Sequence, residues 1–504
     1  MAGPVTALDQ AGAAARTREE RSRWLALVVL CVGMLMIVLD QTIVNVALPS
    51  IKTDLRFSQS NLAWVVNAYL ISFGGLLLLA GRLSDLIGRK SIFMAGLAVF
   101  TGASLLCGLA HSQGLLIGAR FAQGAGGAMT SAVILGMIVT MFPEPGEQAR
   151  AIGVYSFVAS AGASIGLLAG GVITQAVNWH WIFFVNLPIG VATAVVGLRL
   201  IGGDRGVGLD RGADVLGAIL VTLALMLAVY TIVKAGGNGW GSAQTLGLGA
   251  TAVALLAAFV VRQARTRNPL MPLHVFRSRN VSGANLVQML MVAGLFGVFF
   301  LGTLYLQRVL GYDALEIGLA FLPVALLIGM LSLGFSARLI TRFGARATLL
   351  PGLVLILSGL VLFARAPIGA SYAVDVLPSM ILIGVGAGLS FPSLMTLAMS
   401  GATAADSGLA SGLVNTSLQV GGALGLAVLA TLSTSRTDTL LHGGSPASSA
   451  LVGGYHLAFV IAAGLVLVAG ALAVTVLRSE GEAARALDTA GEVAGPEPAY
   501  RQAA

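Results

Sequence analysis

Long, nearly unbroken apolar runs joined by short polar links dominate this chain. A helix that crosses the hydrocarbon of a bilayer needs about 20 mostly apolar residues. Windows of that size predict helical spans near 24–48, 61–80, 91–110, 113–141, 151–175 and 182–200. Two more are predicted at 214–233 and 245–261, and a last six near 281–307, 315–337, 347–364, 373–398, 408–432 and 452–477. The pattern therefore predicts fourteen spans in 504 residues. The polar segment before the first run carries Arg16, Arg18, Arg21 and Arg23, and no small-residue cleavage site follows that run. The first span thus reads as a retained anchor rather than a signal peptide. In segment 479–504 the apolar pattern stops, and Glu480, Glu482, Asp488, Glu492 and Glu497 stand among Ala, Gly and Pro. This tail is expected to be disordered.

Composition places the chain in lipid. Hydrophobic residues make up 57% and charged ones 10%, where a soluble surface needs roughly a quarter charged. Sixty-six glycines suit helices packed closely through small residues. Cys31 and Cys107 both lie in apolar runs, which excludes a disulfide framework. His111, His180, His274, His442 and His456 are scattered without metal-ligand spacing. None of Lys52, Lys90 and Lys234 follows a glycine, so the chain has no phosphate-binding Gly-Lys pair and ATP is not its direct energy source.

A net charge of +8 would raise the question of nucleic acid in a soluble protein, but its distribution answers otherwise. With the N-terminus inside, most of the 29 basic residues fall in the tails and inner loops, among them Arg82, Arg89, Lys90, Arg150, Arg262, Arg265, Arg338 and Arg342. Lys52, Arg56, Lys234, Arg308, Arg365 and Arg436 fall outside, and Arg120 lies within a span. The excess of basic residues inside orients the chain with both termini cytoplasmic.

The chain also repeats itself. Gly81-Arg82-Leu83-Ser84-Asp85-Leu86-Ile87-Gly88-Arg89-Lys90 follows span 2, and a worn copy, Ala337-Arg338-Leu339-Ile340-Thr341-Arg342-Phe343-Gly344-Ala345-Arg346, follows span 10 at an offset of 256. Gly124 and Gly126 recur as Gly384 and Gly386 at offset 260, and Gly162 and Gly166 as Gly421 and Gly425 at offset 259. Three matches in order imply six spans, two intervening spans, and six spans again. The expected organisation is a tail over 1–23, a six-helix bundle over 24–203, two inserted helices over 204–280, a second bundle over 281–478, and the tail 479–504. Parallel halves of this kind enclose a cavity near the bilayer midplane and alternate its access by rocking.

Several motifs resemble the major facilitator superfamily, specifically its fourteen-span drug:proton antiporter branch, over about residues 24–477. Leu39-Asp40-Gln41-Thr42-Ile43-Val44-Asn45-Val46-Ala47-Leu48-Pro49 is similar to that branch's first-span signature, and Gly81 to Lys90 to the superfamily's motif A. Arg120 with Gln123, Gly124 and Gly126 is similar to motif B, and Gly162, Gly166, Gly170 and Gly171 to the antiporter motif C. Trp181-Ile182-Phe183-Phe184-Val185-Asn186-Leu187-Pro188 also resembles the branch. One departure is Leu167, where motif C has a proline. The resemblance implies an all-α integral membrane protein of two six-helix bundles with pseudo-two-fold symmetry plus two extra central helices. It implies a monomer in the cell membrane that exports an amphipathic or hydrophobic small molecule against protons, with no cofactor and no nucleic-acid partner. The competing function is a facilitator or proton symporter importing a small polar nutrient.

Asp40 is the one carboxylate placed well inside a span, where a charge costs about 2.5–3.5 kcal/mol unless it faces a cavity or a partner. Sixteen residues at 1.5 Å rise put it roughly 24 Å from the inner end of its span, and Arg120 lies roughly 10 Å below the outer boundary of its own. The depths match, so Asp40 and Arg120 are expected to be neighbours, directly or through Gln123, Asn45 or Asn67. Such a pair either locks helices together or, as the resemblance implies, couples proton movement to transport.

For motif A, Gly81 and Gly88 are expected to form a tight turn. Asp85 is expected to pair with Arg82, Arg89 or Lys90 or to cap a helix, as a conformational latch or as an ordinary inner loop. Gly162, Gly166 and Gly170 share a helical face and serve packing, gating, or both. Asn285, Gln288, Asn415 and Gln419 are cavity-lining candidates that could equally join helices, and Trp64, Tyr69, Phe296, Phe299 and Phe300 could form an aromatic wall. Phe299 is favoured because it shares a face with Gln288.

Overall fold

The computed structural model describes residues 5–203, 206, 214–400 and 407–478. The tail 479–504 and the loop arginines Arg205 and Arg211 lie outside those residues. The described residues form helices joined by short turns, with no strand among them. Among the described residues, twelve helices are long and apolar enough to cross a membrane. In chain order the first seven helices are α1 (Val5–Asp54), α2 (Gln59–Ile87), α3 (Arg89–Gly108), α4 (Gln113–Met141), α5 (Pro145–Ala176), the four-residue α6 (Trp181–Phe184) and α7 (Asn186–Leu200). Next come α8 (Val215–Asn238), α9 (Ala243–Arg265), α10 (Arg279–Arg308) and α11 (Ala314–Met330), and a π-helical turn, Leu331–Phe335, joins α11 to α12 (Ser336–Phe343). The last four are α13 (Ala345–Phe363), α14 (Leu377–Ser400), α15 (Ser407–His442) and α16 (Ala447–Thr475). The α5 helix and the α11–α12 stretch occupy the places of the predicted fifth and tenth spans.

Helix α1 begins nearly 20 residues before the predicted span, because the segment Ala11-Gly12-Ala13-Ala14-Ala15-Arg16-Thr17-Arg18-Glu19-Glu20-Arg21 is rich in strong helix formers. A second difference concerns the segment Gly81 to Ile87, which is not a loop. Helix α2 runs through it, and the whole turn into α3 is made by Gly88 at φ +110°, a conformation open only to glycine. Gly344 repeats the device at φ +87° between α12 and α13. A Cβ at Gly81 would meet open space.

The outward sides of the helices are apolar, with Val253, Met330 and Val374 each more than two-thirds exposed, as expected where lipid replaces water. The chain forms two compact units. One comprises the chain up to Met226 together with Gly311–Leu322, and the other Leu227–Leu310 and the chain from Pro323 onward. In the first unit α4 approaches α3 and α2 through glycines: a Cβ at Gly126 would lie 2.5 Å from the backbone N of Phe100, and one at Gly124 would collide with Ser72 Oγ and the Tyr69 carbonyl. Gly162, Gly166 and Gly170 do the same between α5 and α1, facing Leu35, Leu39 and Ile43, while Gly171 faces the backbone of Ala314 and Leu315. Helix α5 runs unbroken past Leu167, which is buried.

The second unit repeats these contacts. Gly386 meets the Gly352 carbonyl of α13, Gly384 meets Val324 of α11, and Gly421 and Gly425 meet Met289 and Ala293 of α10. The sequence repeat is therefore a repeat of packing, since the recurring glycines are the points where backbones touch.

Candidate functional site

Arg120 and Gln123 stand one turn apart on α4 and share a face. The glycines that follow them draw α2 and α3 close, which puts Tyr69 and Ser104 beside that face. Gly190 abuts Thr101 and Gly108 abuts Phe184, so the α6–α7 segment lies against α3. Val185, which joins α6 to α7, keeps right-handed helical angles and bonds back to the Trp181 carbonyl, so Asn186 lies in the second turn of a span that runs on from Trp181 to Leu200.

These four contributions converge on Asp40 of α1, whose side chain is fully buried. Arg120 Nη1 donates to Asp40 Oδ2 at 2.5 Å, Gln123 Nε2 to Oδ1 at 2.7 Å, and Asn186 Nδ2 to Oδ1 at 3.1 Å. Arg120 is itself buried, with Nε donating to the Val65 carbonyl at 3.0 Å and Nη1 to Gln123 Oε1 at 2.7 Å. Its guanidinium lies 4.4 Å from the centre of the Tyr69 ring, a cation–π contact strengthened by the burial of both groups. Gln123 Nε2 also donates to Ser104 Oγ at 2.8 Å, and Ser104 Oγ donates onward to the Phe100 carbonyl at 2.8 Å. The Cys107 thiol faces Gln123 Oε1 at 3.6 Å. One anion and one cation are thus held by donors and acceptors from five helices, the arrangement that lets a buried ion pair repay its desolvation.

The structure brings Asp40, Arg120 and Gln123 together as the matched depths predict, and the ion pair is direct. Asn45 takes no part, since its amide bonds its own helix at the Gln41 carbonyl. Asn67 is fully buried, and neither of its amide atoms has a hydrogen-bond partner. Sequence reasoning missed Asn186 and Ser104. Both lie at the level of Arg120 when depth is counted along their own spans, so the signal was present.

A buried amide with no partner costs about 1–3 kcal/mol. Asn67→Leu is therefore expected to raise the melting temperature of the detergent-solubilised protein, and a variant less stable than the parent would show that the amide is satisfied.

At motif A, Arg89 donates to the Gly136 carbonyl at 3.0 Å and to Thr140 Oγ1 at 2.5 Å, and Lys90 Nζ to the Leu198 carbonyl at 3.0 Å. The basic heads bind α4 and α7, and Asp85, exposed on the last turn of α2, forms no ion pair among the described residues. Its expected pairing with Arg82, Arg89 or Lys90 is absent, Arg89 and Lys90 being turned instead to α4 and α7. At the other end of the same unit, Asp54 accepts from Trp179 Nε1 at 2.9 Å, and His180 stacks on Trp179 with ring centres 3.8 Å apart. These contacts pin the start of α6.

In the second unit two of the polar candidates, Gln288 and Asn285, join helices. Gln288 Nε2 donates to the Val414 carbonyl at 3.1 Å, and Ser417 Oγ to Asn285 Oδ1 at 2.7 Å, tying α10 to α15. Gln419 is buried and its Oε1 has no partner. Asn415 is exposed and Phe299 half-buried. Tyr69 and Phe300 are fully buried, and the Phe296 ring packs on Gly422.

Comparison with known proteins gives these contacts a family. The Major Facilitator Superfamily model matches residues 30–426. Among curated relatives, the puromycin resistance protein pur8 of Streptomyces alboniger is 39% identical over 95% of this chain and 96% of its own length. The cephamycin export protein CmcT of Amycolatopsis lactamdurans is 37% identical, with 88% and 91% covered. Among solved structures, a bacterial homologue of the human lysosomal transporter Spinster, inward-facing and unoccupied, superposes with a TM-score of 0.63 at 17% identity, covering 93% of this chain and 98% of that one. That likeness speaks for the fold alone. The chain belongs to the Major Facilitator Superfamily and is a multi-pass membrane transporter of all-α fold.

Proposed function

We propose that this chain exports an amphipathic or hydrophobic small molecule of the antibiotic class in exchange for protons. The observation that carries the reading is the Asp40 carboxylate, buried within a membrane span and held by Arg120, Gln123 and Asn186. An intramembrane carboxylate kept at such a cost marks an ion or proton pathway more often than a structural strut. The relatives add the substrate class: their names attach resistance or export to puromycin, cephamycin, tetracenomycin C and lincomycin. In this reading the protein works as a monomer in the cell membrane, both termini cytoplasmic, drawing energy from the proton gradient without a cofactor.

Asp40 takes a proton when its surroundings open outward and gives it up when they open inward. The turn at Gly88, with Arg89 and Lys90 fastened to neighbouring helices, holds the inner end of the first unit in register as this happens, and the α1–α5 glycine contact gives α1 a fixed partner. The test uses acid-loaded inverted vesicles and a panel of puromycin, a cephamycin, tetracenomycin C and lincomycin. Proton release on adding at least one of these supports exchange. Equilibrative counterflow indifferent to the pH gradient would overturn it in favour of a facilitator.

A further inference from the structure

Asn186 stands apart from the other groups around Asp40. Its Nδ2 donates to Asp40 Oδ1 at 3.1 Å and approaches Ser104 Oγ at 3.4 Å, while its Oδ1, in a side chain fully buried, has no hydrogen-bond partner. A buried carbonyl oxygen facing nothing is rare, and a functional site is one place where it persists.

A proton placed on Asp40 changes what its neighbours must supply. As a carboxylate, Asp40 accepts only. As a carboxylic acid, it also has an O–H that needs an acceptor. Arg120 carries donors alone. Gln123 Oε1 already accepts from Arg120 and faces the Cys107 thiol, and Gln123 Nε2 serves both Asp40 and Ser104. Ser104 Oγ already accepts from Gln123 Nε2 and from Asn186 Nδ2, and its hydrogen goes to the Phe100 carbonyl. The Tyr69 ring presents its face to Arg120, and its hydroxyl is in reach of Gln41 Nε2 at 3.5 Å. Only the Asn186 amide has both a donor in contact with Asp40 and an acceptor to spare. Turning that amide by half a revolution about its last bond exchanges the two.

We infer that Asn186 is the positioning residue that follows the proton on Asp40, donating to the carboxylate and, after its amide turns, accepting from the carboxylic acid. The inference rests on the proposed role of Asp40 in proton coupling. Asn186 lies near the start of the Trp181–Leu200 span, where its side chain reaches Asp40 on α1 and Ser104 on α3 together.

The experiment needs no transported substrate. Infrared difference spectra between high and low pH are recorded on the purified full chain in lipid, with asparagine carrying ¹³C at its side-chain carbonyl. The expected spectrum has a protonated-carboxyl band, absent from Asp40→Asn, and an isotope-shifted amide band that appears over the same pH interval. In Asn186→Leu the amide band is lost and the carboxyl band moves to higher wavenumber, because its O–H has no acceptor. In Asn186→Thr, whose hydroxyl donates and accepts, the carboxyl band stays near its parent position. A parent spectrum with the Asp40 band but no asparagine component overturns the inference and leaves the proton reading standing. That result comes from the parent chain, so it decides the matter even where the leucine variant does not fold. A spectrum in which no carboxyl band depends on Asp40 removes the proton reading itself.

Discussion

Asp40→Asn is expected to abolish substrate-driven proton release and to destabilise the protein at the same time. The asparagine cannot exchange a proton, and it leaves the Arg120 guanidinium buried without its counter-charge. Breaking a buried pair by removing one member costs about 3–5 kcal/mol, which the melting temperature of the solubilised protein would register. The two effects separate in the double variant Asp40→Asn/Arg120→Gln, where no charge is left buried. That variant should recover most of the lost stability and none of the proton release. Restored exchange in it would mean the pair is a structural lock and the proton travels elsewhere. Intact exchange in Asp40→Asn alone would end the mechanism.

The second large effect is expected at Gly126 and its counterpart Gly386. A side chain at either meets backbone: Phe100 N at 2.5 Å and the Gly96 carbonyl at 2.9 Å in one unit, the Gly352 carbonyl at 2.5 Å and Ile356 N at 2.8 Å in the other. Backbone cannot swing aside as a side chain can, so the helices must separate. Overpacking of this kind costs typically 1–3 kcal/mol, and valine at either position should yield little monodisperse protein in gel filtration. Valine at Gly102, where a Cβ meets open space, should be tolerated. Equal melting temperatures for the Gly102 and Gly126 variants would remove the close-approach argument.

Residues of the ion-pair cluster differ in how readable they are from sequence. Depth is readable, because a helix rises a fixed distance per residue and the apolar runs give the starting points. That is why Asp40 and Arg120 could be paired across 80 positions, and why the same count, applied to Asn186 and Ser104, would have added them. Rotation about the helix axis is not readable from depth. Asn45 lies on the same helix as Asp40 at a similar level but turns to its own backbone, and Asn67 ends with no partner at all. Motif spacing carried the turn at Gly88 but not its extent. The apolar windows ended span 2 at residue 80, although polar residues at a membrane boundary remain helical when nothing breaks them, and here only Gly88 does. The glycine repeat was readable as a repeat, while its physical content, which backbone each glycine admits, needed the fold.

The Cys107 thiol that faces Gln123 Oε1 makes the chain its own spectroscopic instrument. The sequence holds only one other sulfhydryl, Cys31, and Cys31→Ala would leave a solitary S–H oscillator two bonds of contact away from Asp40. Its stretching vibration falls where amide and solvent absorb little, and its frequency follows the strength of the acceptor opposite. When charge on the neighbouring carboxylate comes and goes, Gln123 is polarised differently and that line should drift. The occupancy of the site could then be followed in real time without attaching a label.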